Sequence, residues 1–446
     1  MTRPIDNGGS GDPRQFTRKV DGAPQTERGG RFRIGIYNET DKLRSAALWG
    51  PIGAEAVLAQ VLPPGKSLFY EAMDVVIARE EAAKFAATLE GLGVQTVSVR
   101  DRVAAKLSEK PALTPLDLKV QLLAKAARFA AEDLYRPLEI DPATGELEKR
   151  REIDLNDISR QIGTLVDADI ERYGVGRGVN INQKLCLDEE LPLGNSIYAR
   201  DQMNVLLGTR FVSRMKKPIR GKEVDIYESV YADILGPDTP TAVIPKGETF
   251  EGGDAYVHNG TVYVGVGPRT SQGGAEFIYK TLHKQLEAQG LKFAMVVDPD
   301  PEGRPQNEQM DFMHLDTFSG PIGDREAAVC EEEAKRRRVI FLETSRFGRL
   351  VRIDTGKNFL EHLIDTEDNV IRIPKEEQQE FGCNFLALDQ NTLLVPLGTN
   401  TSAISQFEAA GKTVIDLDLK ESTRGYGASH CMTGQLRRAR QEATYA

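Results

Sequence analysis

The sequence predicts an α/β protein built from repeated units, and three observations carry that expectation. A helix–glycine–strand run occurs three times. Hairpin codes stand between those runs. Polar clusters follow or interrupt strand-like segments, which is where α/β proteins present their chemistry.

Residues 1–30 are rich in Gly, Pro and charge and nearly devoid of large apolar side chains. Such a stretch cannot bury enough surface to offset its ordering entropy, so a disordered tail is expected. Ordered structure is expected from about Phe32. Residues 79–100 read as an amphipathic helix ending at Leu92-Gly93, then a strand from Val94 to Val99. Residues 275–298 repeat the pattern through Leu282 and Leu286, Gly290 and a strand from Lys292 to Val297. Phe407 to Gly411 leads in the same way into Lys412 to Leu417. Each glycine stands where the residue after a helix needs positive φ. The spacing is too irregular for a solenoid, and ordinary αβ alternation is the competing reading. Ala255 to Val264 alternates around Asn259-Gly260, the strongest short hairpin code. Phe385 to Pro396 does so around Asp389-Gln390-Asn391.

Residues 106–185 read as a helical insertion. Thr114-Pro115-Leu116-Asp117 is a helix start, with an N-cap, Pro at N1 and an acid at N3. Leu118, Leu122, Leu123, Ala126 and Phe129 follow at helical spacing. Asp154 is expected to cap a second helix carrying Leu155, Ile158, Ile162, Leu165 and Val166, stopped by Gly174. Gly174 to Gly178 lacks the phosphate-loop pattern and reads as a flexible loop. Lys335 to Arg338 follows Glu331 to Glu333, which i,i+4 pairing on a solvated helix face explains.

The formal charge of −10 disfavours nucleic acid and anionic membranes as partners. No apolar run approaches the ~18 residues of a membrane span, and the N-terminus lacks a secretory signal, so a cytoplasmic location is expected. Cys186, Cys330, Cys383 and Cys431 form no CxxC pair, which removes zinc-ribbon spacing and leaves free thiols.

Four polar clusters carry the chemistry: Asn195 to Asp201, Phe250 to Asp254, Met313 to Thr317 and Arg424 to Thr433. Singly, each has a bland reading as a turn acid, a plain loop, a core histidine or a buried thiol. Together, a thiol, an imidazole and several carboxylates suit nucleophilic attack on a cationic carbon. Guanidinium is planar and offers five N–H donors, so carboxylates can orient it. Its resonance makes the carbon a poor electrophile, which calls for a strong nucleophile and an imidazole to serve the leaving group. Among five histidines, His430 adjoins Cys431, and strand neighbours face opposite ways. His258 sits at a hairpin tip, and His283 and His362 lie in helix-like runs. His314 can share a strand face with Asp316 and is the best candidate. With a cation and an imidazole beside it, the Cys431 thiol is expected below its ordinary pKa.

At these clusters the chain resembles the arginine deiminases, members of the guanidine-modifying superfamily. The matching motifs are Arg200-Asp201, Glu251-Gly252-Gly253-Asp254, His314-Leu315-Asp316-Thr317 and His430-Cys431-Met432-Thr433, and the resemblance runs from Lys42 to Arg438. It implies a five-bladed, pseudo-symmetric α/β propeller (the pentein fold) made of residues 31–105 and 186–446, with residues 106–185 inserted. It implies Cys431 as nucleophile, His314 as general acid and base, Asp201 and Asp316 on the guanidinium nitrogens, and Glu251 orienting His314. Asn195, Arg220 and Arg269 match residues that bind the amino-acid end, and Tyr198 replaces an aromatic near the substrate. The implied reaction converts L-arginine and water to L-citrulline and ammonia, with neither cofactor nor metal. A homo-oligomer is compatible with it. Amidino transfer to an amine, double hydrolysis to ornithine and two ammonia, and non-catalytic arginine binding are the alternatives. Where many family members have arginine, five residues before the nucleophile, this chain has Tyr426, and Phe69-Tyr70-Glu71 also departs from the family pattern.

Overall fold

In a computed structural model, the described residues are 35–62, 67–69, 71–136, 152–188, 190–301, 303, 312–396 and 401–439. The tail expected over residues 1–30 lies outside them, as does Tyr70. The chain opens with β1 (Lys42–Leu48), α1 (Ala54–Gln60), α2 (Val75–Gly91), β2 (Gln95–Ser98) and α3 (Val99–Ala105). Two long helices follow, α4 (Pro115–Tyr135) and α5 (Leu155–Cys186). Next come β3 (Met203–Leu206), β4 (Thr209–Val212), α6 (Gly221–Leu235) and β5 (Thr241–Val243). A similar run is β6 (Ala255–His258), β7 (Thr261–Val266), α7 (Gln272–Gln289) and β8 (Lys292–Val297). It is followed by β9 (Ser319–Gly323), β10 (Glu326–Cys330), α8 (Glu331–Arg336), β11 (Arg338–Thr344), β12 (Leu350–Asn358), α9 (Phe359–Thr366), β13 (Asn369–Ile373) and α10 (Lys375–Gln379). The last elements are β14 (Leu386–Ala387), β15 (Thr392–Pro396), α11 (Thr401–Ala409), β16 (Thr413–Leu417), α12 (Lys420–Thr423) and β17 (Gly434–Ala439).

These strands form a mixed α/β fold of five sheets with one shared plan. A central strand pairs antiparallel on one side and, across a helical connection, parallel on the other. The plan gives β3-β4-β5, β6-β7-β8, β9-β10-β13 and β14-β15-β16. The fifth sheet joins the two ends of the described chain, with β17 antiparallel and β2 parallel to β1. The hairpin of β11 and β12 extends the second sheet beyond β8.

The helix stops are where glycine chemistry places them. Gly93, Gly290 and Gly411 all take positive φ, at 83°, 65° and 78°. Asn259 and Gly260 take φ of 45° and 71°, the two left-handed residues that a tight β6–β7 hairpin requires. Thr114 caps α4 by accepting from Asp117 N, with Pro115 at its first turn, and Leu118, Leu122, Ala126 and Phe129 are buried. Leu123 is only half-buried.

Two expectations are corrected. Gly174, at φ 79° and ψ 160°, is non-helical and breaks α5 into two helices, so the expected stop stands, but residues 175–178 are helical rather than a flexible loop. A Cβ on Gly176 would lie 1.6 Å from the Glu109 carbonyl oxygen, so this glycine is there for close backbone approach. Arg336 pairs with Glu332 on an exposed face, as expected, yet Arg337 is buried against Glu333 with its guanidinium 4.0 Å from the Phe318 ring centroid. Three apolar clusters make up the core, the largest joining β1, α1, α2, α4, α5 and α6. Among the described residues no helix is long and apolar enough to cross a membrane.

Candidate active site

Each sheet contributes the short segment that precedes its antiparallel edge strand. Asp201 lies just before β3, Glu251 to Asp254 before β6, His314 to Asp316 before β9, Asn384 before β14, and Cys431 before β17. The motifs therefore lead into strands rather than follow them, contrary to the sequence reading. Hydrogen bonds join these segments in a closed circuit. Arg200 N donates to Cys431 O (3.0 Å) and Gly252 N to Asp201 O (3.0 Å). Leu315 N donates to Asp254 Oδ1 (2.9 Å), Asn384 Nδ2 to Asp316 O (3.0 Å), and His430 N to Asn384 O (3.4 Å). Backbone donors and carbonyls that no sheet pairs are thus satisfied between sheets, and the side chains are held in register.

Cys431 is 2 % exposed. Its Sγ lies 3.6 Å from Asp316 Oδ2 and receives a hydrogen bond from Asn384 Nδ2 at 3.1 Å. Burial above all, and then the Asp316 and Asp201 carboxylates, push this thiol well above its ordinary value. The expected lowering is therefore corrected: burial and the negative charge near the sulfur raise the thiol instead. Asp316 in turn is backed by His430, whose Nδ1 is 2.7 Å from Asp316 Oδ2 and whose Nε2 is 3.0 Å from Glu39 Oε1. Burial would raise the Asp316 carboxyl, but His430, His314 and Arg200 hold it low. Residues 424–433 form turns rather than a strand, so His430 and Cys431 both reach Asp316.

His314 is buried at the start of a single 3-10 turn, Leu315–Thr317, so it does not share a strand face with Asp316. Its Nε2 lies 2.9 Å from Glu251 Oε2, and its Nδ1, 3.7 Å from Asp201 Oδ1, has no hydrogen-bond partner among the described residues. Burial opposes the charged ring, but Asp201, Glu251 and Asp254 raise its pKa to about 9. Burial likewise works against the Glu251 carboxylate, and Arg269, His314 and Arg220 overcome it to hold the group far below its usual range. Gly253 N donates to Asp201 Oδ1 (3.2 Å).

A cavity of about 270 Å³ collects these groups. It is lined by Cys431, His314 and Asp201 together with Asn195, Tyr198, Arg220, Arg269 and Tyr426. Of the nine candidate residues from the sequence, seven face it, and Glu251 and Asp316 stand behind His314 and Cys431. Arg220 donates to Asp201 Oδ2 (2.7 Å) and to Glu223 Oε2 (3.0 Å). Asn195 Nδ2 donates to Gly425 O (2.9 Å), and Tyr198 OH to Ser422 O (2.6 Å). Tyr426 occupies the left-handed region at φ 66°. Asn195 Oδ1 and Asp316 Oδ1, like His314 Nδ1, are buried with no partner among the described residues. Buried polar atoms of this kind are costly unless a ligand completes them.

Asp201, Glu251 and His314 could each offer a ligand atom to one metal ion, these atoms lying within 4.8 Å of one another. Arg220 and Arg269 already counter the two carboxylates, with Nη1 atoms 3.8 Å and 3.7 Å from Glu251 Oε2. The sequence reading missed Asn384 and Glu39, gave Arg200 no role beyond its motif, and set His430 aside. A signal for Asn384 existed, since it too stands directly before the first strand of a hairpin.

Comparison with known proteins identifies the family. The family model for arginine deiminase matches residues 66–438. The arginine deiminase of Borrelia duttonii is 24% identical over 424 residues, covering 90% of this chain and 97% of that one. That of Rhodococcus erythropolis is 26% identical over 444 residues, covering 92% and 98%. Among solved structures, an amidinotransferase of saxitoxin biosynthesis from Microseira wollei shares the fold with a TM-score of 0.52 at 15% identity, covering 93% of this chain and all (100%) of that one. The chain belongs to the arginine deiminase family, guanidino-modifying enzymes that hydrolyse a C–N bond of an amidine.

Proposed function

We propose that this enzyme hydrolyses L-arginine to L-citrulline and ammonia, through a covalent intermediate on Cys431. The observation that carries the reading is the meeting, in one cavity, of a buried thiol, the Asp201 carboxylate and a histidine backed by glutamate, with the Asp316 carboxylate directly behind the thiol. Asp316 Oδ1, an acceptor with no partner among the described residues, suits a guanidinium N–H, and Asp201 lines the adjoining cavity. Asn195, Arg220 and Arg269 line the same space and suit an α-carboxylate and α-amine.

The electrostatics give the order of events. Burial and the two carboxylates hold Cys431 as a thiol, and a guanidinium placed beside them removes the carboxylates' opposition, so substrate itself favours the thiolate. The thiol proton passes to solvent, and the sulfur bonds to the guanidinium carbon. A C–N bond breaks, and the departing nitrogen takes a proton from His314, which is charged at neutral pH. Neutral His314 next accepts a proton from water as its oxygen attacks the amidino carbon. The C–S bond breaks, citrulline leaves, and the thiol is restored.

Five sheets of one plan, end strands joined in one of them, and the hydrogen-bond circuit support a five-bladed propeller as the frame of this site. Residues 106–185 are then an insertion, because α4 and α5 add no strand to any sheet.

Incubation with arginine alone tests the activity. Citrulline and ammonia in equal amounts are expected. Product formation only when an amine acceptor is added would establish amidino transfer instead, and ornithine with two ammonia would establish double hydrolysis.

A further inference from the structure

Four of the five lead-in segments carry residues that the reaction above uses, and the fifth carries Asn384. Its side chain is 1 % exposed and uses both ends of its amide. Nδ2 donates to Asp316 O at 3.0 Å and to Cys431 Sγ at 3.1 Å. Oδ1 accepts from Ala428 N at 2.9 Å and from Cys431 N at 3.4 Å. A primary amide has two N–H groups, so both donor contacts can be made at once. The same side chain therefore fixes the Ala428–Cys431 turn, holds the backbone of Asp316, and directs an N–H at the sulfur.

The surroundings make that donor important. Asp316 and Asp201 face Cys431 from two other segments and oppose negative charge on the sulfur. His314 and Arg220 share the cavity, but each is already paired to carboxylate, through Glu251 and Asp201. His430, on the nucleophile's own segment, is directed to Asp316 and Glu39. Among the described residues, Asn384 is the one side chain that donates a hydrogen bond to Sγ.

We propose that Asn384 is the thiolate donor of this active site: its amide N–H stabilises and aims the Cys431 sulfur as it becomes anionic. The inference rests on Cys431 being the nucleophile but not on the identity of the guanidino substrate.

The test is alkylation of Cys431 by iodoacetamide as a function of pH, read by mass spectrometry of the Cys431 peptide, in wild type, Asn384→Ala, Asn384→Ser and Asn384→Asp. A hydrogen bond to a charged group corresponds to roughly a ten- to hundred-fold change in the thiol–thiolate equilibrium. The alkylation inflection of Asn384→Ala is therefore expected about one to two pH units above wild type. Asn384→Ser, with a shorter donor, should fall between them, and Asn384→Asp, an added carboxylate, should move furthest. For arginine, kcat should fall by a similar factor while KM changes less than about three-fold. Alkylation curves that superimpose on wild type, in variants of unchanged Tm, would overturn the proposal. If Asn384→Ala does not fold, the order of Ser and Asp variants decides. Absence of arginine turnover by wild type would defeat the proposed activity and leave the alkylation comparison intact.

Discussion

Gly253 gives the sharpest test of how the site is assembled. A Cβ at this position would lie 2.8 Å from His314 Nδ1 and 2.9 Å from Asp316 Oδ1. Ordinary contact between such atoms begins near 3.4 Å or more, so Gly253→Ala forces each group back by about 0.5 Å. The backbone of Gly253 is not in the left-handed region, so no conformational penalty is mixed into the result. Crowding of this size in a well-packed interior costs about 1–3 kcal/mol. With an unfolding entropy near ~2.1 cal/mol/K per residue, that is a fall in Tm of only about 1–3 °C for a chain of this length. The rate should suffer more. A misplacement of ~1 Å can cost about 10²-fold, so half that displacement, imposed on both the acid–base imidazole and a guanidinium-binding carboxylate, should lower kcat about 10- to 100-fold. Gly221→Ala is the control, because its Cβ would meet nothing within 4 Å. Steady-state citrulline formation and thermal unfolding of the two variants provide the comparison. A Gly253→Ala enzyme with kcat within about three-fold of wild type would refute the claim that the glycine exists to let His314 and Asp316 approach.

Two further outcomes follow from the same geometry. Gly176→Ala places a Cβ 1.6 Å from a backbone oxygen that cannot rotate away, so a loss of about 3 kcal/mol or more is expected in denaturant unfolding, with KM for arginine unchanged in the folded fraction. His314 is raised from 6.5 to about 9 in the folded chain, so its contribution to stability is complete below about pH 6.5 and is lost as pH rises through about 9. At ~1.4 kcal/mol per pH unit that contribution is about 3 kcal/mol, and His314→Asn should flatten the decline in unfolding free energy between pH 6.5 and 9.5. An equally steep decline in the variant would show that other groups cause it.

What the sequence made legible was local. The stops at Gly93, Gly290 and Gly411, the Asn259-Gly260 hairpin and the Thr114 and Asp154 caps each depend on a few neighbouring residues, and each stands as read. The misreadings concern contacts between segments distant in sequence. Gly176 looked like a loop glycine because Glu109, 67 residues earlier, is invisible in a local window. Arg337 looked solvated because its pairing pattern is that of a surface helix, whereas the ring of Phe318 covers it. Assigning neighbours to opposite faces removed His430 from consideration, since that rule holds for strands and residues 424–433 are turns.

The Cys431 misreading has a different origin and says more about the enzyme. Chemistry that needs a thiolate suggested a site arranged to produce one at rest. Asp316 lies 3.6 Å from the sulfur, however, and the same carboxylates that suit a guanidinium oppose a negative sulfur. These requirements conflict only while the carboxylates lack a cation partner. Arg220 supplies one to Asp201, through a 2.7 Å bond to Oδ2, but Asp316 Oδ1 has no partner among the described residues. Under the proposed reaction, a guanidinium bound there would complete the carboxylate and relieve the sulfur in one event. Reactivity would thereby be tied to the presence of substrate. The pairing also explains why His430 and Glu39 are buried behind Asp316. They keep it ionised despite burial, which the proposed grip on a guanidinium requires.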